Sequence, residues 1–294
     1  MGEGSSGPGR SVRVACVQME PKVGAKDANV AASCRFVEAA AAEGAELIVL
    51  PELCNSGYVF ESMEEATALA EPVPGGPTCD AWAALAARLN LHIVAGINEK
   101  AGEKLYNSAV VIGPGGYLAT YRKVHLWDKE NLFFTPGDLG FPVIQTPVGK
   151  LGVFICYDTW FAECYRLCVL RGADIICLPT NWVPIPGQDP KREAMANILC
   201  MAAAHTNSVY VAAADRVGEE RGQPFVGQSL IVSYTGWPIG GPASADREEI
   251  IYADVNPAEA RAKREWNDHN NILHDRRSDV YDEMLGTSLT PGSY

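Results

Sequence analysis

The sequence has no apolar run longer than a β-strand, whereas a membrane-spanning helix needs about 20 consecutive apolar residues. It also lacks a secretory signal, because residues 1–10 (MGEGSSGPGR) are rich in glycine and serine and contain no apolar stretch. We interpret this segment as a flexible tail. These absences predict a cytoplasmic protein with no membrane partner.

Positive charge is in deficit. The 294 residues include 24 lysine and arginine residues against 36 aspartate and glutamate residues, for a formal net charge of −12. Such a chain repels phosphate, so we expect no nucleic acid and no anionic membrane surface as a partner. The 47% of hydrophobic residues is ordinary for a folded protein, and a chain of this length can bury a sizeable core.

The nine cysteines include no Cys-x-x-Cys pair and are odd in number. Cys164 and Cys168 lie four residues apart, on one face of a predicted helix, but no histidine or cysteine partners occur at zinc-binding spacing. We therefore expect these two side chains to pack in the core and to bind no metal. Scattered thiols in apolar segments indicate a reducing compartment.

Short apolar strands alternate with amphipathic helices, which is typical of a layered α/β domain. The two halves have a similar order of elements, which is compatible with one pseudo-symmetric domain. No linker interrupts the pattern, so we predict one domain over residues 11–281 and a C-terminal tail over 282–294. The predicted strands include Glu46–Leu50, Leu118–Arg122, Lys150–Ile155 and Phe225–Ser233. The predicted helices include Phe161–Arg171 and Val255–Trp266.

Three candidate catalytic residues directly follow predicted strands. Glu52 comes after Glu46–Leu50, Lys123 after Leu118–Arg122, and Cys156 after Lys150–Ile155. In α/β proteins the carboxyl ends of the strands are where sites form. A cysteine at a strand-to-helix junction lies near the positive end of the helix dipole, so we expect its thiolate form to be favoured.

Each of these positions also has an ordinary structural explanation. A cysteine at a strand end is usually a small core residue, a glutamate there is often a helix cap, and a lysine near a turn is usually solvated. His125 lies beside Lys123, so a Cys–His mechanism is a second possibility. Asp158 and Glu163 are interpreted as residues that begin a helix rather than as catalytic groups.

Several segments resemble those of the nitrilase, or carbon–nitrogen hydrolase, superfamily. They occur in the family's order, and the likeness extends from about Val12 to Tyr281. The segments are LPELCNSGY at Leu50–Tyr58, YRKVHL at Tyr121–Leu126, GVFICYD at Gly152–Asp158, and the shorter matches Tyr106-Asn107, Glu130 and Arg171–Asp174.

The resemblance implies a four-layer α-β-β-α sandwich with two mixed sheets between helical layers, and a homo-oligomer. It implies that Glu52 is the general base, Cys156 the nucleophile and Lys123 the cation that stabilises the tetrahedral intermediate beside the backbone N–H of Tyr157. Glu130 matches a second glutamate that positions the substrate. No cofactor is implied. The aromatic residues that we expect to line a substrate pocket are Tyr58, Tyr157, Trp160 and Trp182.

The residues around the nucleophile favour an amide as the substrate. Nitrilases in this superfamily usually have Cys-Trp-Glu, whereas this chain has Cys156-Tyr157-Asp158. Carbamoylases typically place a basic pair after that aspartate, and Thr159–Glu163 (TWFAE) has none. We predict hydrolysis of a small-molecule amide to a carboxylic acid and ammonia. A nitrile or an N-carbamoyl amine is the alternative substrate, and a catalytically silent binding protein is the alternative from another functional class.

Overall fold

A computed structural model describes residues 9–187, 189 and 192–285, with the side chains of 282–285 excepted. Residues 1–8 and 286–294, which make up most of the two predicted tails, lie outside the described residues. Arg10, inside the predicted N-terminal tail, donates a hydrogen bond to Glu46. The C-terminal boundary predicted at residue 281 falls within a helix, Ser278–Leu285.

Most strands belong to two large sheets, and the rest form two small hairpins. The strands are β1 Val12–Gln18, β2 Leu47–Val49, β3 His92–Ala101, β4 Lys104–Gly113, β5 Gly116–Arg122, β6 Val143–Thr146, β7 Gly149–Val153, β8 Ile175–Pro179, β9 Tyr210–Ala214, β10 Glu219–Glu220, β11 Gln223–Pro224, β12 Leu230–Val232, β13 Pro238–Gly240, β14 Glu249–Val255, β15 Glu265–Asn267 and β16 Asn270–Asn271.

The helices lie between the strands in chain order. They are α1 Lys26–Ala42, α2 Met63–Leu69, α3 Pro77–Leu89, α4 Glu130–Phe133, α5 Ala162–Leu170, α6 Met195–Asn207, α7 Pro257–Ala262 and α8 Ser278–Leu285, with a 3-10 helix at Cys156–Trp160. Among the helices of the described part, none is long and apolar enough to cross a membrane.

Both large sheets have six strands and are mixed. The first has the order β14-β1-β2-β3-β4-β5, and the second has the order β13-β12-β9-β8-β7-β6. Each is built around three parallel strands, β1-β2-β3 in the first and β7-β8-β9 in the second. The remaining strands pair antiparallel at the two sides. This repetition accounts for the similar order of elements in the two halves of the sequence.

The two sheets pack face to face, and helices cover their outer faces. In β1, Val14 and Cys16 belong to the core that includes the second sheet, while Ala15 and Val17 pack in a separate core. That second core includes Trp82 and other residues of α1 and α3. A strand alternates its side chains between the two faces of a sheet, so strands covered on both sides are apolar throughout. The predicted α-β-β-α sandwich is confirmed.

Two predicted elements are wrong in part. The strand predicted over Phe225–Ser233 is a strand only at Leu230–Val232, because Gly227 and Gln228 both have positive φ and turn the chain before it. The helix predicted over Val255–Trp266 extends only over Pro257–Ala262. Its last residues belong to the β15–β16 hairpin instead.

Gly96 in β3 allows the first sheet to approach the loop after β2. A Cβ atom at this position would lie 2.4 Å from the Cα atom of Glu52 and 2.6 Å from the carbonyl oxygen of Pro51. Its amide donates a hydrogen bond to that same carbonyl. The absence of a side chain at Gly96 therefore determines where Glu52 lies.

We expect Gly96→Ala to lower the free energy of unfolding by about 1–3 kcal/mol, because backbone atoms must move to admit the methyl group. Urea denaturation measures this change. Gly115→Ala is the matched control, since a Cβ atom there meets nothing within 4 Å. Equal stability of the two variants would contradict the close approach at Gly96.

Candidate active site

The three residues predicted to act together lie in buried positions between the two sheets. Glu52 follows β2, Lys123 follows β5, and Cys156 begins the 3-10 helix after β7. Their exposed fractions are 0%, 1% and 5%. The first sheet therefore supplies the carboxylate and the ammonium, and the second sheet supplies the thiol.

Lys123 is held between two carboxylates. Its Nζ atom donates to Glu52 Oε1 at 2.7 Å and to Glu130 Oε1 at 2.7 Å. Burial by itself lowers the pKa of Lys123, but the negative charges of Glu130 and Glu52 outweigh burial, so the pKa lies well above its ordinary value. Lys123 is a fixed cation at any pH near neutrality.

The two carboxylate oxygens of Glu52 differ in their hydrogen bonding among the described residues. Its Oε1 atom also accepts a hydrogen bond from Asn107 Nδ2 at 2.6 Å, and its backbone carbonyl accepts one from Asn181 Nδ2 at 2.9 Å. Its buried Oε2 atom has no hydrogen-bond partner among the described residues. A buried carboxylate oxygen without a partner is costly, so this atom is available to accept a proton.

Cys156 occupies a constrained position. Its φ is +48°, a value that is uncommon for a residue with a side chain and that clusters at functional sites. Burial raises the pKa of its thiol well above the ordinary value, Glu52 adds to the rise, and Lys123 opposes it. This direction runs against the expectation that the helix dipole favours the thiolate. The thiol needs a base to become a nucleophile.

Glu130 joins the site through three hydrogen bonds. Its Oε1 atom accepts from Tyr58 Oη at 2.6 Å as well as from Lys123, and its Oε2 atom accepts from the backbone N–H of Trp127 at 3.2 Å. Burial raises the pKa of Glu130 to about 7, although the bonds from Lys123 and Tyr58 lower it. Tyr58 and Lys123 donate to the ionised form of this carboxyl group and so oppose the effect of burial.

Asp158 links the segment that carries Lys123 to the turn that carries Cys156. Its oxygens accept hydrogen bonds from Tyr121 Oη at 2.6 Å, from His125 Nδ1 at 2.7 Å and from the backbone N–H of Ile155 at 2.9 Å. This buried carboxylate has a structural role, as the sequence indicates. Glu163, in contrast, is exposed in the first turn of α5.

The described residues include one group that could offer three atoms to a metal ion. His125, Asp158 and Cys164 place ligand atoms within 4.8 Å of one another. The Asp158 oxygens already accept the hydrogen bonds given above, and the His125 ring stacks on Phe161 with centroids 3.7 Å apart. These contacts account for the group as part of the packing around the nucleophile turn.

Two cavities meet at this site and share Trp127 and Val183. The inner cavity, of about 20 Å³, contacts Cys156 and is walled by aromatic rings. The outer cavity, of about 260 Å³, contacts Glu130 and Tyr58. Three of the predicted pocket residues, Tyr157, Trp160 and Trp182, line the inner cavity, and the fourth, Tyr58, lines the outer one.

Sequence reasoning missed two residues of this site. Asn181 lines the inner cavity directly after β8, and its Oδ1 atom is buried without a partner among the described residues. Its place at the carboxyl end of a parallel strand was the available signal. Trp127 contacts both cavities from the irregular segment before α4, where no strand or helix pattern marks it.

The alternative base, His125, is hydrogen-bonded to Asp158 and not to Cys156.

We expect titration of the Glu130 carboxyl carbon by NMR to give a pKa of about 7, so that the group is protonated below that pH and ionised above it. Tyr58→Phe removes a hydrogen bond that lowers this pKa and should shift it upward. Thr120→Val is a control, since its hydroxyl bonds only the exposed Tyr117 among the described residues. An unchanged Glu130 pKa in Tyr58→Phe would contradict the bond.

Comparisons with known proteins identify relatives over most of the chain. A family model described as carbon-nitrogen hydrolase matches residues 13–265. A nitrilase from Pyrococcus abyssi is 43% identical over 272 residues, which cover 92% of this chain and 99% of the relative. An N-carbamoylputrescine amidase from Solanum lycopersicum is 34% identical over 273 residues, or 87% of this chain and 89% of the relative.

The fold is also that of solved amidase structures. An amidase mutant from Nesterenkonia sp. AN1 in complex with butyramide superimposes with a TM-score of 0.74 at 25% identity, covering 92% of this chain and 96% of that one. The family match spans most of the chain, so the protein is a carbon–nitrogen hydrolase enzyme. The chain belongs to the nitrilase superfamily, on its amidase-like branch.

Proposed function

We propose that this protein hydrolyses a small-molecule amide to a carboxylic acid and ammonia through a thioester on Cys156. The observation that carries the proposal is the arrangement around Lys123, whose ammonium bonds both Glu52 and Glu130, while Glu52 Oε2 has no partner among the residues that the structure describes. This arrangement supplies a base, a fixed cation and a buried thiol in one place.

The first half of the reaction forms the acyl-enzyme. Glu52 takes the proton of the Cys156 thiol, and the sulfur attacks the amide carbonyl carbon. The negative charge that develops on the carbonyl oxygen is stabilised by Lys123 and by the backbone N–H of Tyr157. The C–N bond then breaks, the proton held by Glu52 passes to the nitrogen, and ammonia leaves.

The second half regenerates the enzyme. Glu52 takes a proton from water, the resulting hydroxide attacks the thioester carbon, and the C–S bond breaks. The sulfur recovers the proton from Glu52, and the carboxylic acid leaves. Glu130 transfers no proton in either half and, with Tyr58, fixes the position of Lys123.

Two buried acceptor atoms, one of them in the inner cavity, support an amide over a nitrile. Asn181 Oδ1 is a buried acceptor without a partner among the described residues, as is Glu52 Oε2. An amide nitrogen carries N–H donors for such atoms, whereas a nitrile has none. Leaving a buried acceptor unpaired costs affinity, so these atoms favour the substrate that donates.

The walls of the inner cavity limit the acyl group. Among the described residues that line it, none carries a formal charge, and four of them, Trp127, Tyr157, Trp160 and Trp182, are aromatic. A cavity of about 20 Å³ leaves little room. A short, uncharged acyl group fits these walls, and the butyramide complex of the related amidase supports this class.

A nitrile is the second candidate substrate, because the 43%-identical relative is a nitrilase. Attack of Cys156 on a nitrile gives a thioimidate, and addition of water with loss of ammonia leads to the same thioester. The 34%-identical relative makes an N-carbamoyl amine a third candidate. The lack of a basic pair after Asp158 disfavours it.

Ammonia release from a panel of short aliphatic amides, the matching nitriles and N-carbamoyl amines tests the proposal. We expect the short uncharged amides to be turned over fastest, and Cys156→Ala to reduce turnover to background. Cys156→Ala incubated with each compound is the control for contaminating activity. Faster turnover of nitriles would reverse the order of candidates, and a wild type inert on the whole panel would favour the binding-protein alternative.

We further propose that two copies of the chain associate through the outer face of α5 and α6. Leu167 and Leu170 on α5, and Met195 and Ile198 on α6, are each between 41% and 43% exposed. Trp266 of β15 is 55% exposed, and its ring stacks on that of His205, which lies on α6. Exposed apolar residues on two helices that pack against each other favour an interaction surface.

We also propose a reducing, cytoplasmic location, since all nine cysteines are free.

We expect sedimentation to give a dimer or a multiple of it, and Ile198→Glu to shift the protein toward the monomer because it places a charge in the apolar face. Met63→Glu is the control, since Met63 is similarly exposed at 45% but lies on α2 in the other half of the chain. A wild-type monomer would refute this assembly.

A further inference from the structure

The β10–β11 hairpin extends from the second half of the chain to the first. Glu219 pairs with Pro224 and Glu220 with Gln223. Although the hairpin is short and mostly at the surface, Glu220 is only 5% exposed, and Arg216 just before it is fully buried. Two charged side chains are buried here, away from the nucleophile, and the reaction steps above use neither.

Glu220 binds the backbone of the segment that carries Tyr58. Its Oε2 atom accepts hydrogen bonds from the N–H groups of Tyr58 at 2.8 Å and Val59 at 2.7 Å, and its Oε1 atom accepts one from Val23 at 2.7 Å. Arg216 Nη1 lies 3.3 Å from Oε2. The buried carboxylate is thus satisfied on both oxygens, and bonds to a charged acceptor are among the stronger hydrogen bonds.

The same hairpin region also holds the ring of Tyr58. Phe225 packs edge-on against that ring with centroids 5.9 Å apart, and the Arg216 guanidinium lies 4.0 Å over the Phe225 ring. Gly57, with φ of +81°, brings the chain so close to Val23 that a Cβ atom would lie 2.3 Å from its Cα. Both the backbone and the ring of Tyr58 are therefore fixed from outside its own segment.

Tyr58 is the first residue of a chain of hydrogen bonds that ends at the base. Its hydroxyl donates to Glu130 at 2.6 Å, and Lys123 connects Glu130 to Glu52 through two bonds of 2.7 Å. A displacement of Tyr58 would remove one of the donors that lower the pKa of Glu130. It would also leave Glu130, to which Lys123 bonds, with one donor fewer to hold it in place.

We propose that Glu220 is a positioning residue of the active site, which holds the Tyr58 hydroxyl on Glu130 through the Tyr58 and Val59 N–H groups and thereby fixes Lys123. The proposal rests on the function proposed above, in which Lys123 stabilises the oxyanion. Glu220 contacts no part of the inner cavity and touches no reacting atom. Its effect on the reaction passes entirely through Tyr58.

Glu220 could have a purely structural role, in which it only attaches the β10–β11 hairpin to the first half of the chain. A control variant distinguishes this role from the proposed one. Arg221 in the turn of the hairpin donates to both carboxylate oxygens of Glu65 on α2 at 2.7 Å. Glu65→Gln therefore weakens the attachment of the same hairpin without changing any acceptor of the Tyr58 N–H.

The test compares Glu220→Gln, Tyr58→Phe, the double variant and Glu65→Gln in the full-length protein. We expect Glu220→Gln and Tyr58→Phe each to lower kcat on the order of tenfold, the effect of losing one hydrogen bond in an active site. The acid limb of kcat/KM should move to higher pH in both, since loss of the Tyr58 bond raises the pKa of Glu130. Glu65→Gln should keep the wild-type kcat and pH profile.

The double variant decides whether Glu220 acts through Tyr58. If it does, the double variant loses no more kcat than Tyr58→Phe alone, because the pair acts as a unit. Multiplied losses in the double variant would overturn the proposal, as would a Glu220→Gln variant with lower melting temperature but wild-type kcat and pH profile. Should Glu220→Gln fail to fold, Glu220→Asp keeps the charge beside Arg216 and shortens the reach to Tyr58.

Titration of Glu130 by NMR separates this proposal from the proposed function. Glu220→Gln should raise the Glu130 pKa as Tyr58→Phe does, whether or not the substrate has been found. A wild type inert on every compound would refute the amidase proposal alone. An active wild type whose Glu130 pKa and acid limb do not respond to Glu220→Gln would refute the positioning role alone.

Discussion

A single buried ammonium group organises this protein's active site. Lys123 bonds two carboxylates, Glu52 and Glu130, where all three side chains are almost free of solvent. Removing one partner from a buried ion pair costs about 3–5 kcal/mol, because it leaves an uncompensated charge. With two carboxylates against one ammonium, the remaining negative charge is stabilised by neutral donors, the Asn107 amide and the Tyr58 hydroxyl. The position of each neighbour thus follows from the need to satisfy these charges.

The proposed nucleophile, Cys156, comes from the other sheet, so the candidate site exists only where the two sheets pack against each other. Asp158 connects the segment that carries Lys123 to the turn that carries Cys156. It accepts hydrogen bonds from Tyr121 and His125 in the first and from Ile155 in the second. Glu52 also donates its backbone N–H to Thr180 at the end of β8. Because the charged pair and the thiol are on different sheets, contacts between the sheets control the distance that catalysis depends on.

Much of this arrangement could be predicted from residues that follow strands. Glu52, Lys123 and Cys156 follow predicted strands, and the resemblance of their flanking segments to the nitrilase superfamily singles them out. The layered sandwich that this resemblance implies is the observed one. The raised pKa of Cys156 runs against the prediction of a favoured thiolate, because a local dipole argument ignores complete burial and the charge of Glu52. The strand predicted over Phe225–Ser233 was too long, because apolar composition does not reveal the positive φ of Gly227 and Gln228. Glu220 had no sequence signal, since a glutamate in a surface hairpin looks solvated.

The sequence by itself determined the family and the layered fold, and it predicted which residues act as base, cation and nucleophile, because strand patterns and short motifs are local properties of the chain. Only the tertiary structure decided which oxygen of Glu52 is free, that Tyr58 bonds Glu130, and that a hairpin from the second half holds Tyr58 in place. These facts depend on contacts between residues more than seventy positions apart, such as Tyr58 and Glu130 or Tyr58 and Glu220. Distances of that kind are set by packing, and no local pattern encodes them.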